Sequence, residues 1–484
     1  NLAMSPIRTT RTAAGVNGAL ATFRKAVETT DAYPRFLSEL GFDPNTVASA
    51  PDFSLVPPTT KKNYVHAYEL PQLIPGGDAT STRIYSSSSG SSGPPTHWPR
   101  AKLSLDHSVV LHERILRQLG ADRLSTLVVV CFAMGDWIGG TYTLRAIEEL
   151  HDRGFPVSAV APGVHVDTVR VDVASLGMHY DQVILAGYPP FVRDVLDGAG
   201  HDVLSQNIKF LLAGESVGES WRDGILRLVG KVDRPQDMCL VYGTADAGMI
   251  GHETSTTIAA RRLALQHNEL DATLFGGSAA SSTLVEYDAS LRYIETDERG
   301  YLLFTVDNTI PLVRYRINDI GEVITPCELR RQLADLGHDL DVATSTEHSQ
   351  FVVVKQRADI AVSFYAVNIY PEPVRAALAD PQLTDAITGK FVLGRRTGND
   401  LRDTLHLNVE LRKGVELPVG PNAECARMVR RSVVDALMSS SSEFNELHGM
   451  YGAAVEPEVE FHPYGSEGFQ LQIKQSAVER VGSL

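Results

Sequence analysis

The sequence predicts a large α/β domain at the N-terminal side, with mixed and parallel sheet, followed by a small mobile α+β domain. Three observations carry that prediction. The chain has 484 residues, too many for one ordinary core. Short apolar runs alternate with helical segments as far as about residue 350, as expected of a sheet buried on both faces. Beyond that point the pattern changes to a strand alternating at period two and an amphipathic helix. The expected division is residues 1–358 for the large domain and 359–484 for the small one.

Residues 12–40 read as helical and are followed by a polar linker and the Pro57-Pro58 turn. LSTLVVVCF, residues 124–132, is a continuous apolar run that fits a buried strand. GDWIGG, residues 135–140, leads into a helix over 141–152, and residues 157–161 form the next strand. This is a β-loop-α-β unit. The loop lacks the GxGxxG spacing and no acidic residue ends the next strand, so it reads as a strand-to-helix turn and not a dinucleotide site. Residues 183–185, 209–212 and 238–241 continue the strands, and arginine alternates with apolar residues over 312–320.

In the remainder, residues 351–354 and 360–364 read as strands, and Pro371 opens a helix where its missing N–H costs nothing. Leu405, Leu407, Val409 and Leu411 alternate with His406, Asn408, Glu410 and Arg412, which predicts a half-buried strand. Residues 423–438 form an amphipathic helix, 439–442 a mobile Ser-rich loop, and 459–461 and 471–473 late strands.

A formal charge of −15 argues against nucleic-acid binding, which needs a basic face, and leaves room for a single nucleotide. Cys131, Cys239, Cys327 and Cys425 are scattered without CxxC spacing, unlike a zinc cluster or a disulfide scaffold. No apolar run reaches membrane-spanning length and no signal peptide opens the chain, so a cytoplasmic protein without a membrane partner is expected. A homodimer is compatible with all of this.

Chemistry enters with SSSSGSSG, residues 86–93, directly after an alternating segment. Small hydroxyl residues around two glycines let backbone N–H groups and hydroxyls converge on a phosphate, although most Ser/Gly runs are linkers. VPPTTKKNY (56–64) precedes it, and AGES (213–216), YGTADAG (242–248), PLVRYRINDIG (311–321) and QRADIAVSFYAVNIYP (356–371) follow in order. With this ordered set the chain resembles the AMP-forming adenylating enzymes, the superfamily of acyl-CoA synthetases and adenylation domains, in its phenylacetate–CoA ligase-like branch.

The resemblance implies that a carboxylic acid, of aryl or arylacetic type in this branch, attacks ATP to give an acyl-adenylate. Mg²⁺ assists, and the acyl group then passes to coenzyme A or a carrier protein. It assigns Ser88, Ser89, Gly90, Ser91, Ser92 and Gly93 to the β- and γ-phosphates, and Gly214 and Glu215 to the adenine pocket. Tyr242 and Gly243 fall beside adenine, Asp246 at the metal and the reacting centre, and Asp319 on the ribose hydroxyls. Arg357 is implied near the ribose and Asp359 as the hinge of the small domain.

Four departures stand against the family pattern. Pro94 and Pro95 replace a lysine and proline after the loop, Ala245-Asp246 replaces a threonine-glutamate pair, and Ala366 stands where a glycine normally passes the pantetheine arm. Phe469, after Ser466-Glu467-Gly468, replaces the catalytic lysine, for which Lys474 is the substitute in reach. Two alternatives therefore stay open: a nucleotide-binding member with little turnover, and an enzyme making an amide, ester or N–N bond. Trp137, Ile138 and Ala247 are candidate linings for the acid.

Overall fold

The structure is a computed structural model that describes residues 13–88, 96–214, 216–280, 282–355, 362–378, 380, 382–383, 385–416, 423–466 and 469. It divides into two compact units, one of Asn1–Ser87, His97–Gly187 and Gly198–Gln356, the other of Ser88–Thr96, Tyr188–Asp197 and Arg357–Leu484.

Continuous apolar runs become strands buried on both faces, as in β3 below, where all six residues of TLVVVC are buried. In chain order the strands of the first part are β1 (Ile84–Ser88), β2 (Thr96–Arg100), β3 (Thr126–Cys131), β4 (Val157–Val160), β5 (Gln182–Gly187), β6 (Ile208–Ala213) and β7 (Met238–Thr244). They continue as β8 (Gly248–His252), β9 (Thr283–Asp288), β10 (Tyr293–Thr296), β11 (Tyr301–Val306), β12 (Leu312–Ile324) and β13 (Ser349–Lys355). β1 and β2 pair with each other, and the rest form an 11-stranded sheet in the order β10-β11-β12-β13-β9-β8-β7-β6-β5-β3-β4.

The sheet has two halves. From β4 through β3, β5 and β6 to β7 every neighbour is parallel, and helical crossovers such as Ile138–Asp152 and Glu219–Leu228 make the connections. From β7 through β8 onward every pairing is antiparallel. The change of direction falls at the β7–β8 hairpin, where a short turn, and not a helix, follows the carboxyl end of a strand.

Two expectations change in detail. The helical stretch over 12–40 is two helices, Ala13–Thr29 and Ala32–Glu39. Thr30 separates them: its Oγ1 donates to Ala26 O and accepts from Tyr33 N, so the side chain competes with the backbone ladder. The helix after GDWIGG starts three residues early, at Ile138. It fits because a Cβ on Gly140 would lie 2.5 Å from Ala133 O, so only glycine lets the helix close onto the strand end.

The second unit holds the hairpin β14 (Val362–Phe364) and β15 (Val367–Ile369), and the sheet β16 (Ile387–Thr397), β17 (Asp403–Leu411) and β18 (Glu458–His462). Leu405, Leu407, Val409 and Leu411 enter its core with Val429, Val433 and Leu437 of the helix Glu424–Ser440. The expected polar face of β17 is not solvated throughout: Asn408 and Glu410 are buried. Glu410 accepts from Thr388 Oγ1 at 2.9 Å and from Gly465 N at 3.0 Å, with Lys390 Nζ at 3.7 Å.

The Ser-rich segment 439–442 is the junction of two helices, with Ser441 alone extended between them, and not a loop. Ser439 and Ser440 end one helix with hydroxyls bonded to Asp435 O and Ala436 O, and Ser441 caps the next, Ser442–Tyr451, by accepting from Phe444 N. Serine's short hydroxyl satisfies helix ends as readily as it solvates loops. The strand expected at 471–473 lies outside the described residues.

Candidate functional site

The site gathers at the β7–β8 hairpin. β7 ends in Tyr242-Gly243-Thr244, and Ala245, Asp246 and Ala247 make the turn. The turn is held from inside: Thr244 Oγ1 accepts from Ala247 N at 2.9 Å, and Asn308 Nδ2 donates to Ala247 O at 3.1 Å. Arg100, buried at the end of β2, donates to the carbonyls of Ala245 and Asp246, while its Nε reaches Ser86 Oγ at 3.2 Å. The β1–β2 pair and the hairpin are thereby joined by one guanidinium.

Asp246 is 3 % exposed. Its Oδ2 accepts from the Tyr315 hydroxyl at 2.7 Å, and its Oδ1 lies 3.2 Å from Lys61 Nζ. Burial first, then the Asp246 charge, pushes the Tyr315 phenol well above the ordinary tyrosine value, so it stays a donor. Lys61 comes from the proline-threonine segment, which lies along β12: Thr59 N donates to Arg314 O, Arg316 N to Thr59 O, and Thr59 Oγ1 to Val313 O. A segment far away in sequence therefore behaves as a short added strand that delivers a lysine to Asp246.

Asp319 lies in β12, and Tyr242 Oη donates to its Oδ2 at 2.5 Å. The two residues assigned to ribose and adenine are thus a bonded pair, with Tyr242 half-buried and its ring 6.3 Å from that of Phe304. Asn318, immediately before, has φ 69°, and Arg314 has φ 44°. Such left-handed residues in a strand bend it and re-aim its side chains. Gly214, after β6, has φ 104°, a conformation that glycine alone adopts at no cost.

Of the residues singled out in sequence, the structure brings Tyr242, Gly243, Asp246 and Asp319 together, and Ser88 ends β1 as a buried residue. Ser89, Gly90, Ser91, Ser92, Gly93, Glu215, Arg357, Asp359 and Lys474 lie outside the described residues. Trp137 precedes the helix Ile138–Asp152, and Ala247 is buried in the turn. Phe469 is 3 % exposed, its ring 5.7 Å from that of His462, and Lys390 Nζ donates to its carbonyl at 3.3 Å. A phenylalanine there packs into the small unit.

Lys61, Tyr315 and Arg100 were given no role from sequence. Lys61 and Tyr315 stand inside motifs quoted for other reasons. Arg100 carried no signal, because its role is to hold backbone carbonyls.

Among the described residues no group of three or more His, Cys, Asp or Glu side chains is placed to hold a metal. At this turn Asp246 offers one carboxylate, and both of its oxygens already meet protein donors. That donor set fits Mg²⁺ only as an ion carried on a triphosphate, with phosphate oxygens and water as its other ligands.

No protein-family model and no curated protein sequence matches the chain. Solved structures do. 2-Hydroxyisobutyryl-CoA ligase in complex with 2-HIB-AMP and CoA, in the thioesterification state, superposes with a TM-score of 0.61 at 17% identity, covering 97% of this chain and 90% of that one. The same ligase in the postadenylation state with R3-HIB-AMP gives 0.52 at 17% identity, over 96% and 87% of the two chains. Its open conformation with 2-HIB-AMP and CoA gives 0.52 at 16%, over 96% and 90%. The fold is that of an AMP-forming acyl-CoA synthetase, as the motifs imply.

Proposed function

We propose that the chain activates a carboxylic acid with ATP as an acyl-adenylate and passes the acyl group to a thiol, coenzyme A being the acceptor the fold relatives favour. The observation that carries this reading is the Tyr242–Asp319 pair, 77 residues apart in sequence and bonded at 2.5 Å beside the Asp246 turn. A fixed carboxylate suits two ribose hydroxyls, and the phenol that holds it leaves an aromatic ring for the base.

The chemical difficulty is an anionic nucleophile approaching a polyanion. Mg²⁺ arriving with ATP supplies charge neutralisation at the phosphates. The chain's own contribution is Lys61, a cation positioned by Asp246, and a hairpin whose carbonyls are pinned by Arg100. Lys61 stands in a chain without the loop lysine or a lysine at 469, and this favours turnover over a purely nucleotide-binding role. Ser88 to Gly93 as the phosphate loop, Gly214 and Glu215 at adenine, Arg357 at the ribose, Asp359 as hinge and Lys474 as a further catalytic cation belong to the same proposal.

Acid-dependent exchange of pyrophosphate into ATP tests it, with mass detection of acyl-adenylates. Asp319→Ala is expected to weaken ATP binding by about tenfold to a hundredfold, since charge-assisted hydrogen bonds are worth roughly 1.5–3 kcal/mol. Unchanged nucleotide affinity by calorimetry removes the ribose assignment.

A further inference from the structure

The start of β8 carries a second group of side chains that the reaction above leaves unused. Arg292 is 2 % exposed. Its Nε donates to Met249 O at 2.9 Å, and its Nη1 to Leu291 O at 3.0 Å and to His107 Nδ1 at 2.9 Å. Nη2 has no hydrogen-bond partner among the described residues.

Tyr142, on the helix Ile138–Asp152, is 3 % exposed, and its hydroxyl has no hydrogen-bond partner among the described residues. Its ring edge lies against Gly248, next to Met249: a Cβ on that glycine would be 4.0 Å from Tyr142 Cε2. The Arg100 guanidinium stands 5.9 Å from the ring centroid, and Arg100 and Arg292 both act electrostatically on the Tyr142 hydroxyl.

The surrounding carboxylates are committed elsewhere. Asp288 pairs with Arg114 at 2.7 Å, Asp307 with Lys25 at 2.7 Å, and Asp246 with Lys61 at 3.2 Å. Neither Arg100 nor Arg292 has a carboxylate within 4.0 Å among the described residues. Arg100 is offset by two carbonyls, a serine and the faces of Trp98 and Tyr142. Among the described residues Arg292 has two carbonyls and an imidazole. Its charge is buried at a cost of several kcal/mol in general. Asp288 and Asp307 act on it only from beyond 4.0 Å, each already paired with another cation, and among the described residues no carboxylate is in contact with it.

We propose that the acid this chain takes is a dicarboxylic acid, whose distal carboxylate is received by Arg292 and the Tyr142 hydroxyl. Among the described residues Arg292 Nη2 and the phenol are the donors of this cluster left without partners, and a carboxylate has two oxygens to accept from them. The cluster adjoins the Asp246 turn through Arg100 and Gly248, and the proposal places the acid between the two. The inference rests on the adenylation reading for the fate of the proximal carboxylate; the distal site is tested by binding alone.

The full chain is titrated calorimetrically, with AMP present, with linear dicarboxylic acids of four to eight carbons and with their monomethyl esters. The diacid of fitting length is expected to bind on the order of tenfold or more tighter than its monoester, because the ester removes a charge-assisted pair. Arg292→Gln is expected to abolish that preference, Arg292→Lys to keep part of it, and Tyr142→Phe to reduce it. Equal binding of diacid and monoester by the unmodified chain, a preference that survives Arg292→Gln, or no diacid binding at all overturns the proposal without reference to any variant's folding. Pyrophosphate exchange separates the two readings. Exchange with monocarboxylic acids and no diacid preference ends this inference alone, whereas diacid binding without exchange ends adenylation alone.

Discussion

Two groups of buried arginines in the larger unit differ in how their charge is met. Arg222 and Arg261 sit in a closed network: Arg222 donates to both oxygens of Glu253, at 2.7 and 2.8 Å, and to Glu219, and Glu219 also meets Arg261 and Arg262. Burial works against the charge on Arg222, but Glu253 and Glu219 outweigh it and hold the guanidinium above its ordinary value. Arg292 has no carboxylate in contact among the described residues, and burial, acting first, pulls it down to about 10 against the weaker pull of Asp288 and Asp307. The first arrangement is complete within the chain. The second asks for an anion from outside, and the contrast marks which buried cation belongs to the architecture and which to a ligand.

The sharpest way to break this comparison is to remove one partner from each group. Glu253→Gln leaves Arg222 with Glu219 and one carbonyl, and takes charge from the acceptor of Leu240 N. Breaking a buried pair typically costs about 3–5 kcal/mol, so a large drop in denaturant midpoint is expected. Arg292→Gln removes a cation that no carboxylate contacts among the described residues, and a change within about 1 kcal/mol is expected because the lost hydrogen bonds and the relieved burial oppose each other. Equal losses in the two variants erase the distinction.

Acid separates the two groups by a smaller amount. His107 accepts from Arg292 as a neutral imidazole, and burial, then the Arg292 charge, lowers it from 6.5 to about 4. Between those values the unfolded chain binds a proton that the fold refuses. Stability therefore falls as pH drops from about 6.5 to about 4, and this contribution levels off below, once both states are protonated. One such group gives a slope of at most ~1.4 kcal/mol per pH unit. His112, fully buried and also held at about 4, adds a like slope. His107→Gln is expected to flatten the profile by its share, leaving that of His112; an unaltered slope in unfolding measurements between those pH values removes His107 from the account.

The same contrast explains what was legible in the sequence. Continuous apolar runs such as Leu127 to Cys131 predict buried strands because burial on both faces leaves no freedom for polar residues. That Tyr242, Asp246 and Asp319 come together was legible because motif residues stand in a fixed order. Lys61, Tyr315, Arg100 and Arg292 were not, because their roles depend on which segments meet across the sheet. An arginine in a strand pattern reads as a solvated residue until its carbonyl partners are known. Ser439 to Ser442 failed for a related reason: serine at a helix junction and serine in a loop look alike until the carbonyls it bonds are in place.

The smallest effect carries the comparison into the second unit, where strain takes the place of charge. Tyr365 and Ala366 turn the β14–β15 hairpin with φ 50° and 64°, both left-handed, as a two-residue turn between twisted strands demands. Asparagine and glycine normally supply that turn; here Tyr365 is held by rings, 4.9 Å from Phe364 and 5.0 Å from Tyr451, while Ala366 has a methyl group where glycine is unstrained. Left-handed backbone costs an ordinary residue about 1–2 kcal/mol, and the added unfolded-state freedom of glycine returns roughly 0.5–1, so Ala366→Gly is expected to stabilise by a few tenths to about 1 kcal/mol. Tyr365→Gly is expected to lose stability, because the ring contacts outweigh the relief. If coenzyme A is the acceptor, removing the Ala366 methyl also speeds thioester formation relative to adenylation, read by single-turnover transfer from preformed acyl-adenylate. Greater stability with an unchanged transfer rate leaves the turn a structural economy of the hairpin, and a destabilised Ala366→Gly shows that the methyl group packs to more effect than the backbone strain it carries.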